Sequence, residues 1–386
     1  MKHIFDYTRD QLKAQMKDVG LKPFRADQAW QWIYQKGMAD PEAMTNLGAG
    51  DKAKLQENIN FKLPEVTAEQ KAADGVIKWL FKLEDGQEIE TVFIPQGKRG
   101  TLCVSSQVGC TLTCRFCHTG TQALARNLTA GEIIAQVWLA KRQLEDFTDA
   151  DTARKLTNIV FMGMGEPLYN KDNVFDACRI LMDEKGFAMG GRKITISTSG
   201  VAPEIADIGE DLGVNLAVSL HSADNETRTK IMPLNKKYPL EVLQESLKNF
   251  RLRENRRITW EYVLLKGVND SMEDAEKLLK FIKPFPSLVN LIPFNPWPGS
   301  PFECSDIEAQ KAFRNRIAKA GVDVTLRLTR GEDILAACGQ LRSESSGRST
   351  VSLEYPSVVA VYGNEKQKKL SEEKLKVKIE STEDDS

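Results

Sequence analysis

The chain has 386 residues and 41% hydrophobic content, enough for a substantial core and, on length alone, for two or three domains. Its 53 Lys+Arg against 54 Asp+Glu exclude a uniformly basic surface, so any nucleic-acid contact must rest on a local patch. No apolar run reaches membrane-spanning length and residues 1–6 lack a signal-peptide core, so we expect a cytoplasmic protein with no membrane association.

Residues 1–60 read as helical, with Phe24–Tyr34 as an amphipathic helix whose aromatic residues face a core. Residues 75–83 and 88–94 alternate apolar and polar side chains across Asp85-Gly86, a hairpin signal. From residue 100 the pattern repeats strand, glycine-containing turn and helix. Strands are expected at 158–162, 193–197, 215–220, 259–264, 288–293 and 322–327, with helices such as 129–144 and 240–253 between them. This alternation predicts an α/β fold with a parallel sheet, read as a partial (β/α)6 barrel. The expected organisation is a helical accessory domain (1–60), a hairpin linker (61–99), a barrel (100–330), a C-terminal loop (331–356) and a charged, disordered tail (357–386) with one short strand at 358–362.

Cys110, Cys114 and Cys117 stand as C-T-L-T-C-R-F-C. Thiolates ligate iron–sulfur clusters, and three cysteines on a [4Fe–4S] cube leave one iron open for a ligand. The alternatives are a zinc site or three unrelated thiols. Zinc prefers paired C-x2-C or His-containing sets, and His118 directly follows Cys117, a poor geometry for closing a tetrahedron. The triplet spacing is that of radical S-adenosylmethionine (SAM) enzymes.

Further motifs follow successive strands, where β/α barrels place active sites. Gly165 and Glu166 lie in G-M-G-E-P, Ser197 in S-T-S-G, Ser219, Leu220 and His221 in S-L-H, and Asn295 in P-F-N-P. Each alone reads as an ordinary loop. Their shared position makes a SAM pocket, with Glu166 accepting from the SAM ammonium. Seven cysteines, an odd number, fit a reducing compartment better than a disulfide scaffold. Cys103, Cys178, Cys304 and Cys338 read first as small buried hydrophobes. The Ala-Ala-Cys-Gly-Gln setting of Cys338 also suits an exposed nucleophile.

Together these residues closely resemble the bacterial radical-SAM RNA adenine methyltransferases of the RlmN/Cfr family. The similarity runs from 24 to 342 and is most specific at 109–119, 162–167, 196–201, 218–221, 291–298 and 330–341, with no motif position departing from the pattern. The resemblance implies methylation of adenine C2 with two SAM molecules per turnover. Cys338 would take a methyl group from the first. The second, cleaved at the cluster, would yield a radical that removes a hydrogen from that methyl group, and the resulting carbon radical adds to the base. Cys103 would then release the product by forming a disulfide with Cys338. Glu90 matches the proton acceptor, with Glu88 a nearby competitor. The implied substrates are an adenine in the peptidyl-transferase region of 23S rRNA and the adenine beside the anticodon (position 37) of tRNA. The implied accessories are a [4Fe–4S] cluster, SAM and an electron donor such as a flavodoxin system. A monomer is expected. Arg251, Arg253, Arg256, Arg257, Lys98 and Arg99 are candidate RNA contacts. Other readings are a relative methylating C8, a radical-SAM activase of a protein partner, and a non-enzymatic RNA-binding module.

Overall fold

A computed structural model describes residues 1–147 and 154–341. The expected tail and its short strand, and residues 342–356 of the C-terminal loop, lie outside the described residues.

Helix α1 (Arg9–Asp18) begins at Thr8, whose hydroxyl accepts from the Gln11 amide while the Gln11 side chain accepts from the Thr8 amide. In α2 (Phe24–Tyr34), Ala26, Ala29, Trp30, Ile33 and Tyr34 are buried, so Trp30 and Tyr34 face the core as expected, whereas Phe24 is exposed and Trp32 half-buried. Helix α3 (Ala49–Asn58) completes this domain. Four antiparallel strands follow: β1 (Glu65–Lys71), β2 (Ile77–Lys82), β3 (Glu88–Gln96) and β4 (Arg99–Cys103). The expected β2–β3 hairpin turns at Gly86, whose φ of 81° suits glycine. Strand β1 was not foreseen. Its sequence EVTAEQK is exposed along nearly its whole length and carries no apolar alternation to read.

A two-stranded ribbon, β5 (Gln107–Val108) with β6 (Arg126–Asn127), brackets the cysteine motif. In helix α4 (Ala130–Gln143) every residue from Ala130 to Ala140 except the half-buried Glu132 is buried. Its inner face covers the sheet, and its outer face meets the N-terminal domain, where Trp138 Nε1 donates to the Ile33 carbonyl at 2.8 Å. A helix apolar all round needs such double cover. The remaining elements are β7 (Asn158–Phe161), α5 (Lys171–Met182), β8 (Ile194–Thr198), α6 (Ile205–Asp207), β9 (Asn215–Ser219), α7 (Asn225–Ile231), α8 (Leu240–Lys248), β10 (Ile258–Leu264), α9 (Met272–Ile282), β11 (Ser287–Pro293), α10 (Ile307–Lys319) and β12 (Asp323–Leu326).

All strands but β5 and β6 form one ten-stranded sheet in the order β1-β2-β3-β4-β7-β8-β9-β10-β11-β12. Every pairing from β4 to β12 is parallel. The expected six parallel strands are present, and β4 joins them as a seventh. It was hidden because five residues abutting a hairpin read as part of that hairpin. Helix α8 stops at Lys248 rather than at residue 253, because Phe250 turns inward and is buried.

The sheet stays open between β1 and β12, and the segment after β12 spans the opening. Asp74 Oδ2 accepts from the Gly331 amide at 3.1 Å, Asp333 Oδ2 accepts from the Ala73 amide at 3.1 Å, and Arg330 donates to the Pro95 carbonyl at 2.7 Å. The C-terminal loop is thereby pinned onto the hairpin layer.

Candidate active site

The cysteine motif occupies the loop between β5 and β6, beyond the C-terminal end of β4. Gly109, at φ 80°, brings the chain so close to the returning strand that a Cβ there would sit 2.2 Å from the Ala123 carbonyl oxygen. Cys110 pairs with Ala123 in a parallel bridge, and the Cys117 amide donates to the Cys114 carbonyl at 3.1 Å. All three thiols line one open cavity.

Burial pushes the Cys110 thiol up to about 12 and raises Cys114 and Cys117 as well; neighbouring negative charge adds to each rise, and hydrogen bonds oppose it at Cys110 and Cys117. Such thiols ionise only when a metal supplies the compensating charge. No group of three or more His, Cys, Asp and Glu among the described residues closes around one ion. The donor set is three thiols, which fits an iron–sulfur cube with one iron left open.

The facing wall comes from the ends of successive parallel strands. Gly165, at φ 101°, leaves no room for a Cβ, which would meet Gln107 Cβ at 2.5 Å. The buried Glu166 carboxylate accepts from the amides of Leu168 (3.1 Å) and Ser199 (2.8 Å) and faces the cavity. Burial raises its carboxyl against those hydrogen bonds. Ser197, Ser219 and His221 also line the cavity. His221 has φ 56°, accepts at Nδ1 from the Val263 amide at 3.0 Å, and stands edge-on to Phe116 at 4.5 Å. Burial drives its pKa down to about 3, so this imidazole is neutral. The serine hydroxyls, Glu166 and His221 form a compact polar set suited to a ribose and an amino-acid head group.

Two expected pocket residues sit elsewhere. Leu220, just beyond β9, is fully buried and does not line the cavity, whereas Ser219 and His221 on either side of it do. Asn295 does not line the cavity. Its amide donates to the Cys338 carbonyl at 3.2 Å, so it holds the C-terminal loop.

Cys338 is exposed and lines the same cavity as the three motif cysteines. Arg327, at the end of β12, donates from Nη1 to Cys338 Sγ at 3.3 Å. The same nitrogen lies 4.0 Å from Glu261 Oε2 on β10. The charge of Cys338, then that of Glu261, holds the guanidinium above its ordinary value against burial. Glu261 also accepts from Asn290 at 2.7 Å, and burial raises its carboxyl. Neither Arg327 nor Glu261 was foreseen. The available signal was a lone carboxylate inside the apolar strand ITWEYVL.

Cys103 ends β4 and is 9% exposed. Burial, followed by the charge of Cys338, pushes its thiol up to about 12, and Arg327 opposes this. All seven cysteines are free, so the expected Cys103–Cys338 disulfide is not present in this state. Val92 is the direct antiparallel partner of Cys103, which puts Val92, Glu90 and Cys103 on one face of the sheet. Glu90 is 4% exposed rather than solvent-facing, and Lys78 Nζ lies 3.0 Å from its Oε1. Lys78, unforeseen, also donates to the Leu335 carbonyl at 3.4 Å and so ties Glu90 to the C-terminal loop. Glu88 is half-buried and accepts from Thr67 at 3.3 Å, away from Cys103.

The candidate basic residues lie at the other end of the barrel. Residues 251–257 precede β10, and Lys98 and Arg99 open β4, so all are at the N-terminal ends of parallel strands. Arg256 donates to the Gly213 carbonyl at 2.6 Å and Arg257 pairs with Asp323. Arg256 and Arg257 are thus engaged in contacts within the protein, whereas Arg251 and Arg253 are exposed.

The Radical SAM superfamily matches residues 104–282, and the ribosomal RNA large subunit methyltransferase N-terminal domain matches residues 2–60. A dual-specificity RNA methyltransferase RlmN from Rhodospirillum rubrum is 54% identical over 88% of this chain and 79% of its own length. The protein of the same name from Parvibaculum lavamentivorans is 50% identical over 89% of this chain and 90% of its own. The crystal structure of a radical SAM methyltransferase from Sphaerobacter thermophilus superposes with a TM-score of 0.82 at 40% identity, covering 89% of this chain and 99% of that one. Likeness of this depth, reaching through both the helical domain and the barrel, means common descent, and the chain belongs to the RlmN family of radical SAM RNA methyltransferases.

Proposed function

We propose that this methyltransferase transfers a methyl group to C2 of an adenine, in the peptidyl-transferase region of 23S rRNA and at position 37 of tRNA, through a methyl-cysteine at Cys338. One observation carries the reading: Cys338, on a loop far from the motif in sequence, shares a cavity with Cys110, Cys114 and Cys117. Neither a protein activase nor an RNA-binding module has use for that thiol. The dual-specificity names of the relatives support both RNAs as substrates.

Cys110, Cys114 and Cys117 would hold the cluster, and Glu166, Ser197, Ser219 and His221 the SAM. The cluster, when bound, supplies the electron that cleaves SAM. Arg327 orients the Cys338 sulfur toward the cavity and places a cation beside it. Cys338 attacks the SAM methyl carbon, forming a sulfur–carbon bond while the sulfonium–methyl bond breaks and leaves a neutral thioether. Glu90, held by Lys78, takes the proton from the substituted base carbon. Cys103 attacks the Cys338 sulfur: the sulfur–sulfur bond forms, the sulfur–methylene bond breaks, and the electron pair left on the methylene carbon, delocalised into the base, takes a proton to give the methyl product. A thiol pushed up by burial is protonated at neutral pH, so Cys103 must lose its proton before it acts, and the Arg327 charge assists that loss. An electron donor such as a flavodoxin system, a cytoplasmic location and a monomeric state complete the proposal. No helix among the described residues is long and apolar enough to cross a membrane.

The test is anaerobic reconstitution with iron, sulfide and SAM, followed by peptide and RNA mass spectrometry. One added methyl on the Cys338 peptide and 2-methyladenine in both RNAs are expected. Formation of 5′-deoxyadenosine with no methyl on Cys338 would overturn the reading.

A further inference from the structure

Arg228 on α7 is 0% exposed and ranks among the largest fully buried side chains. Asp224 caps the helix by accepting from the Thr227 amide at 2.9 Å, which fixes the face on which Arg228 points inward. Its guanidinium donates to the Leu220 carbonyl (3.1 Å), to Asn235 Oδ1 (2.8 Å) and to the carbonyls of Ser199 (2.7 Å) and Ser219 (3.4 Å). All four acceptors are neutral. Burial pulls its pKa down only to about 10, so the group stays charged at neutral pH. A buried cation without a carboxylate is costly, and its counter-charge must come from elsewhere.

Its position identifies the source. Ser199 and Ser219 line the cavity, so the guanidinium lies directly behind that wall. The Ile231 carbonyl at the end of the same helix accepts from the Arg115 amide at 2.9 Å. Arg115 stands between Cys114 and Cys117, so α7 is seated on the cluster loop itself. Cys114 is the group whose charge opposes the lowering of Arg228 by burial.

We propose that Arg228 is the buried counter-cation of the cluster held by Cys110, Cys114 and Cys117, and that its charge raises the cluster's reduction potential. This rests on the cluster reading. Three thiolates outweigh an oxidised dipositive cube by one negative charge, and one-electron reduction adds another. A fixed cation in a low-dielectric site therefore stabilises the reduced form more than the oxidised form. Arg228 hydrogen-bonds none of the thiols, and it acts as a positioning and charge-setting residue.

The experiment compares the parent chain with Arg228→Gln and Arg228→Lys, each reconstituted anaerobically at full length. Iron and sulfide content, SAM affinity and a redox titration followed by electron paramagnetic resonance are read without RNA. Arg228→Gln should show at least a tenfold lower ratio of reduced to oxidised cluster at a fixed poise, about 59 mV for a one-electron couple. Arg228→Lys should stay within about threefold of the parent, although it forfeits the fork of contacts and weakens SAM binding. Equal drops in both variants, or no drop in either, would overturn the proposal. Should Arg228→Gln not retain its cluster, Arg228→Lys decides: a parent-like potential supports the proposal, and a tenfold drop or cluster loss there as well sinks it. A parent chain that binds no cluster would remove the cluster reading instead.

Discussion

The two sets of thiols in the proposed mechanism are built in opposite ways. Cys110, Cys114 and Cys117 share one loop between the paired strands β5 and β6, and their spacing follows from local chain geometry. Cys103 and Cys338 come from the end of β4 and from the segment beyond β12, brought together because the C-terminal loop is pinned across the sheet opening. In the first set Cys114 is buried and Cys110 and Cys117 are half-buried, whereas the second pairs a buried thiol with an exposed one. A metal site needs preorganised equivalent donors, while a carrier and its resolving partner need unequal access, one to the incoming methyl and one to the finished adduct.

The largest effect should come from breaking the local set. Cys114→Ala removes one ligand, and iron content, visible absorption and SAM cleavage should all fall to background. A variant with a full cluster and full cleavage would end the assignment. Breaking the assembled set should instead separate the steps. Cys338→Ala should keep its cluster yet carry no methyl and methylate no RNA, and continued RNA methylation would show direct transfer from SAM. Cys103→Ala should methylate Cys338 normally and then stall as a protein–RNA crosslink that survives denaturation. Free turnover of that variant would return Cys103 to a packing role.

A smaller effect should follow from loosening Cys338 without removing it. Arg327→Met deletes the hydrogen bond to Cys338 Sγ. Single-turnover methylation of Cys338 should slow about tenfold, in line with the ~1.5 kcal/mol of a hydrogen bond to a charged group, while iron content holds. An unchanged rate would leave Arg327 with Glu261 alone. The smallest effect is expected at the far end of the barrel. Arg251→Ala with Arg253→Ala should leave RNA methylation within about twofold, because these residues lie on the face opposite the mouth. A loss of RNA affinity with a reduced salt slope would show that RNA wraps to that face.

Much of this protein was legible in the chain because its chemistry is encoded locally. The cysteine triplet, the G-M-G-E and S-L-H segments after strands, and the period that separates strands from helices all depend on neighbours in sequence, and nine of the expected site residues line the one cavity. Sequence also placed Cys338 in an exposed small-residue loop, as found. What it could not show were relations set by packing. Strand β1 carries no hydrophobic pattern because it lies on the solvent edge, and β4 was masked by the hairpin beside it. Arg327, Glu261, Lys78 and Arg228 are ordinary charged residues in the chain. They acquire meaning because the sheet buries Glu261, the C-terminal loop settles over Lys78 and Arg327, and α7 turns Arg228 beneath the pocket wall. Spacing along the chain determines which donors can share a loop, whereas burial and long-range hydrogen bonds, which exist only in the folded state, decide which charges face one another.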